Sequence, residues 1–206
     1  MDQSPKEEFW NTLTHGFGVL LAIFGFFVLL SFNSHKTDFS ILSICVYSFS
    51  SILLFTVSTL YHLVDKIELK TVLRKLDHIS IYVLIAGTYT PVCLVMLVPG
   101  NGWILFYIVW TITFMGIVLK IFFTGKFEAL SLLLYLAMGW LIVFDIHNLM
   151  ASFTSYQLLL LMLGGLFYTV GIVFYAINKI PYNHVIWHLF VLAGAISHYL
   201  MILSII

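Results

Sequence analysis

Apolar residues run along this chain in long blocks, broken at intervals by short polar stretches. A membrane-spanning helix needs roughly 20 predominantly apolar residues, because each adds about 1.5 Å across a hydrocarbon core about 30 Å thick. Seven blocks meet that length, near residues 11–32, 39–64, 77–98, 103–123, 129–147, 156–177 and 184–206. Between them stand "NSHKTD", "DKIELKTVLRKL", "PGNG", "TGKFE", "NLMASFTS" and "NKIPYN", which read as turns. The pattern predicts an all-α protein, a seven-transmembrane helix bundle that forms one integral membrane domain over residues 1–206. No internal repeat, low-complexity tract or long loop marks a second unit.

Composition strengthens this reading. Of the 206 residues, 62% are hydrophobic and 9% charged, and the mean hydropathy is +1.08. Soluble domains are nearer half apolar and a quarter charged, so this chain carries more apolar surface than folding alone can hide from water. Nine acidic and nine basic residues cancel, which removes any charge signal for nucleic acid. The opening "MDQSPKEEFW" has an acidic pair where a signal peptide carries basic residues, and no small-residue cleavage site follows. The first block is therefore expected to remain as a helix. Cys45 and Cys93 lie inside apolar blocks without metal or haem-attachment spacing and read as buried free thiols.

Basic residues give the direction of insertion. Lys6, Lys66, Lys70, Arg74, Lys75, Lys120, Lys126 and Lys179 all fall on the side of the N-terminus, whereas the opposite side has Lys36 alone. This bias of eight to one predicts a cytoplasmic N-terminus and an outside C-terminus in a multi-pass protein of the cell (inner or plasma) membrane. G-protein-coupled receptors run the other way. Retinal proteins need a lysine in the last span, and this one has none.

The topology assigns a depth to each polar group within the blocks. His184 and His188 open the seventh span, His62 closes the second, and Asp77 opens the third in "KLDHISIY". All four reach the cytoplasmic leaflet. His184 and His188 are one helical turn apart on one face, and Ser58 shares a face with His62 four residues later. Such a pair of histidines alone also fits an interfacial role or hydrogen bonds between helices. With His62 and Asp77 at the same depth, and with intramembrane polar groups costly to keep, the metal reading is preferred. Three imidazoles plus a carboxylate or water make a tetrahedral zinc site with one exchangeable position, although imidazole-rich sites also take other transition metals. Haem is disfavoured, because two ligands one turn apart cannot lie on opposite sides of an iron. His198 lies about 15 Å beyond His188 along the axis, so it reads as a cavity-lining or hydrogen-bonded core residue. His78 points about 100° away from Asp77 and is not counted as a ligand. His35 reads as a solvated loop residue, and Asp145 and His147 end the fifth span on the far side.

Four motifs resemble those of the hemolysin III family, the bacterial branch of the progestin and adipoQ receptor family, over essentially the whole chain. "EFWNTLTH" (Glu8, Asn11, Thr14, His15) is similar to its opening E-x2-N-x2-T-H pattern. "STLYH" is similar to its S-x3-H, "LDHISIY" to its third-helix aspartate, and "HVIWH" to its H-x3-H. The resemblance implies that His62, His184 and His188 ligate Zn2+, that Asp77 contacts the metal-bound water, and that Ser58 lies nearby. Asn11 and His15 share this depth and read either as partners behind the ligands or as caps and anchors of the first helix.

The leading function is a zinc-dependent hydrolase of lipid amide or ester bonds, with a membrane lipid as substrate. The amide class comes from the wider family's ceramidase-like relatives. A second reading is a non-enzymatic signalling or regulatory membrane protein with structural zinc. A third is the cytolysin that the family name implies, against which stand the missing cleavable signal and the all-membrane composition.

Overall fold

Helix α1 (Pro5–Phe32) starts where local chemistry dictates. Ser4 and Glu7 form a reciprocal capping box, with the Ser4 amide donating to Glu7 Oε2 at 2.9 Å and the Glu7 amide donating to Ser4 Oγ at 3.3 Å. Pro5 follows at the first turn, where its missing N–H costs nothing. The computed structural model describes residues 3–177 and 179–206, and among them the chain is helical with short connections. The elements continue as α2 (Ser40–Leu63), α3 (Ile67–Pro91), α4 (Gly102–Phe123), α5 (Glu128–Trp140), α6 (Ile146–Ser152), α7 (Ser155–Ala176) and α8 (Asn183–Ile205). A π-helical turn over Val92–Met96 prolongs α3, and a 3-10 turn over Leu141–Asp145 joins α5 to α6. Seven helical stretches result that are long and apolar enough to cross a membrane.

Two boundaries differ from the sequence pattern. The basic segment expected as a turn before the third span is helical from Ile67. It holds good helix formers and neither Gly nor Pro, so only its charge had marked it as a break. The fifth span is interrupted at Leu141–Asp145. There the Tyr89 hydroxyl donates to the Gly139 carbonyl at 3.1 Å and accepts from the Ile142 amide at 2.9 Å. One phenol thus satisfies a donor and an acceptor that the broken ladder would leave bare in an apolar medium. In α3, Pro91 has no N–H to give the ladder, and the π-helical turn begins directly after it. The Thr37 hydroxyl donates to the Leu94 carbonyl in that turn at 3.0 Å.

Helix α2 packs between α1 and α3, α7 pairs with α8, and α8 closes against α1. Small and hydroxyl-bearing residues line these seams: Ser43, Ser48, Ser50, Ser51 and Ser58 of α2 are buried. Such residues let backbones approach where lipid offers no hydrophobic drive for helix association. Gly18 shows how tight the fit is, since a Cβ there would stand 2.5 Å from the Phe55 ring. The main core gathers around Tyr82, Val109, Met138, Met201 and Ile202. A smaller cluster of Leu54, Phe55, Leu84, Val191 and Ala195 lies beside the polar site described below. The outer surface is as apolar as the core, with Phe24, Phe27, Phe122 and Phe144 all exposed. Cys93 is buried as expected, but Cys45 is exposed on α2. An apolar block in such a chain faces lipid as readily as it faces its neighbours.

Candidate functional site

At the end of the bundle near the N-terminus, four helices bring their polar residues together. Helix α2 contributes His62 in its last turn, and α8 contributes His184 and His188 in its first two turns. Tyr182, at φ 56° in the left-handed region, turns the chain into α8. Its amide donates to Glu7 Oε1 at 3.2 Å, which ties this turn to the start of α1. The ring centroids of His62, His184 and His188 lie 4.7 to 5.1 Å apart. One nitrogen from each lies within 4.8 Å of the others, so the three could hold a metal ion.

The free nitrogens suit that role. His62 Nδ1 stands 2.6 Å from Glu8 Oε2, while its buried Nε2 has no hydrogen-bond partner among the described residues. His188 Nδ1 lies 3.3 Å from the Asn11 carbonyl and 3.4 Å from the Thr14 hydroxyl. An unpaired buried imidazole nitrogen is costly. Coordination removes that cost, so the residues fit a metal.

Ser58 and Asp77 line one cavity together with His15, His184 and His188. Its volume of about 70 Å3 has room for several waters. Asp77 stands outside the three-histidine group and faces the same space. A second, apolar cavity of about 120 Å3 shares Leu54, Ile81, Trp187 and Val191 with the first. His198 borders this second cavity, with its Nε2 3.1 Å from the Leu161 carbonyl, and is both cavity-lining and hydrogen-bonded.

Asn11 and His15, alternatives between cap and partner in the sequence, are both buried against the cluster. The His15 ring stacks on His188, and the Asn11 amide donates to Gln3 Oε1 at 2.6 Å. Ser4, not Asn11, caps the helix. His78 stands outside the three-histidine group: it borders the same cavity, and its Nδ1 is 3.5 Å from Glu128 Oε2. That carboxylate also meets the fully buried Lys120 at 2.8 Å and Arg74 at 4.0 Å, so one acidic group joins α3, α4 and α5. His35 is exposed in its loop, and Asp145 accepts from Asn101 and Asn148, each at 2.7 Å.

Glu8 stands in the opening motif but not among the expected site residues, and it meets His62 directly. Its spacing from Asn11 and His15 puts all three on one face of α1. That periodicity was the signal available.

These features define a class: multi-pass helical membrane proteins with a buried, metal-capable histidine cluster at one end of the bundle. The particular family follows from comparison with known sequences. The profile described as "Haemolysin-III related" matches residues 3–199, and the chain belongs to that family. It is 42% identical to Hemolysin-3 of Bacillus cereus, over 98% of this chain and 93% of the relative. Identity to the Hemolysin-3 homolog of Bacillus subtilis (strain 168) is 43%, over 96% and 93%. The human Monocyte to macrophage differentiation factor is 30% identical over 92% of this chain and 80% of its own length.

Proposed function

We propose that the protein is a zinc-dependent hydrolase of lipid amide or ester bonds that works within the cytoplasmic leaflet. The observation that carries this reading is that two members of the three-histidine group, His184 and His188, line one cavity with Asp77 and Ser58, beside an apolar chamber. A structural zinc site is closed by four protein ligands, whereas three imidazoles beside a cavity with room for water leave a fourth position open. Zinc held by His62, His184 and His188 supplies Lewis acidity, which polarises a carbonyl and makes water a nucleophile near neutral pH.

The remaining work falls to the chain. Asp77 accepts the proton of the attacking water and returns it to the departing amine or alcohol as the carbon–heteroatom bond breaks. The Ser58 hydroxyl donates a hydrogen bond either to Asp77 or to the oxygen on which charge develops. Leu54, Ile81, Trp187 and Val191 form the shared wall between the polar site and the apolar chamber. The apolar lining of that chamber suits the acyl part of such a lipid.

The test is Asp77→Asn, which keeps shape and removes the proton acceptor. Hydrolysis of acyl lipids with several head groups should fall by roughly a hundredfold or more, with zinc content and thermal stability kept. Wild-type protein with full zinc and no turnover on any such lipid would favour the regulatory reading. Turnover that Asp77→Asn leaves unchanged would rule out the proposed base.

A further inference from the structure

Helix α1 holds the polar groups that stand behind the histidine cluster. Glu8 lies in its first turns, only partly buried, with both carboxylate oxygens engaged. Oε2 is 2.6 Å from His62 Nδ1, and Oε1 is 2.7 Å from Lys70 Nζ. Lys70 is held in turn over the Tyr61 ring, 5.3 Å from its centroid. The His62 side chain is almost wholly buried, and its other nitrogen has no partner among the described residues.

We infer that Glu8 is the positioning residue of the metal site, a role that rests on the metal reading given above. An imidazole has two nitrogens, and the hydrogen bond made by one decides which tautomer the other presents. By accepting the Nδ1–H of His62, the Glu8 carboxylate leaves the Nε2 lone pair for the ion and fixes the plane of the ring. The short, charge-assisted contact also makes His62 a stronger donor to the metal. His188 receives a weaker version of the same treatment, with its Nδ1 against the Asn11 carbonyl at 3.3 Å. One helix thereby sets the free nitrogen of ligands on two others.

Charge points the same way. A divalent cation among neutral imidazoles in an apolar surround is expensive unless negative charge lies close. Glu8 supplies that charge one ring away, and Lys70 keeps its carboxylate from swinging out to solvent. Lys70 is the second member of the device, with a smaller part.

The experiment uses the full chain, purified in detergent and titrated with zinc against a chromophoric chelator. Glu8→Ala should weaken zinc binding by about ten- to hundredfold, the range for lost partners of metal-bound histidines. Glu8→Gln keeps an acceptor but loses the charge and should fall between Glu8→Ala and wild type. Lys70→Met should weaken binding only a few-fold, less than either. Cobalt(II) binding adds a readout that a merely structural role would not move: the visible bands of Glu8→Gln should shift from those of wild type. Zinc affinity within twofold of wild type in Glu8→Gln, with unshifted cobalt bands, overturns the inference even if Glu8→Ala cannot be recovered folded. Absence of zinc binding in the wild-type chain would instead overturn the metal reading beneath it.

Discussion

The imidazole rings of His15 and His188 stack face to face, with centroids 3.6 Å apart and planes 9° from parallel. The edge of Phe55 meets His15 from another side at 5.2 Å. Neither nitrogen of His15 has a hydrogen-bond partner among the described residues. The contacts that His15 does make are through its ring, which supports a metal-capable histidine by stacking, and His15 stands outside the three-histidine group. His15→Phe should keep zinc affinity within about threefold, whereas His15→Ala should lose roughly tenfold. Chelator competition measures both, and equal losses in the two would mean that a His15 nitrogen is needed.

Metal stoichiometry separates the two kinds of histidine on α8. Wild-type protein purified without chelator should carry about one zinc per chain. His188→Ala should lose it. His198→Ala should retain it, because that ring borders the apolar cavity with its Nε2 directed to the Leu161 carbonyl at 3.1 Å. Elemental analysis of the three proteins decides the matter, and loss of metal from His198→Ala would refute the ligand set.

The Lys120–Glu128 contact at 2.8 Å makes an asymmetric prediction. Lys120 has no exposed side-chain surface, while Glu128 is about a third exposed and has Arg74 and His78 beside it. Removing the carboxylate strands a buried ammonium and should cost roughly 3–5 kcal/mol, the scale for breaking a buried pair. Glu128→Ala should accordingly lower the unfolding midpoint in detergent more than Lys120→Met does. A double variant, Lys120→Met with Glu128→Gln, should recover much of the loss. Equal midpoints for the two single variants would show that water reaches the lysine.

Orientation is testable with reporters. The basic bias predicts that a reporter fused before Met1 is active only in the cytoplasm. One joined after Ile206 by a flexible linker should be active only outside it; the linker matters because Ile206 is itself buried. A cytoplasmic C-terminus would move the histidine cluster to the outer leaflet.

The long apolar blocks made the seven helices legible, because length and composition alone specify a span. The convergence of His62, His184 and His188 was legible too, since insertion direction turns sequence position into depth. Other features were hidden for identifiable reasons. Lys120 counts in the sequence only as one of the basic residues on the N-terminal side, and its partner Glu128, the last residue of "TGKFE", begins α5. The break at Leu141–Asp145 leaves no gap in hydropathy, and the hydroxyl that stabilises it comes from α3. Cys45 could not be told from Cys93, because burial in protein and contact with lipid select the same residue types. Glu8 lay in a recognised motif, but its partners Lys70 and His62 are brought to it only by packing of α1, α2 and α3.

The histidine cluster draws on both ends of the chain, with Glu8 and His15 on α1 and His184 and His188 on α8. During synthesis α1 and α2 leave the ribosome first, so His62 and Glu8 can meet long before their counterparts exist. Until α8 arrives, α1 presents Asn11 and His15 to a gap that no other helix fills, with polar groups facing lipid or a misplaced neighbour. The last helix thus acts as a keystone: its docking hides those groups and creates the three-imidazole centre in one event. If the centre takes up a metal, occupancy would record that the last helix has docked, and a chain halted before Asn183, which lacks His184 and His188, would be metal-free.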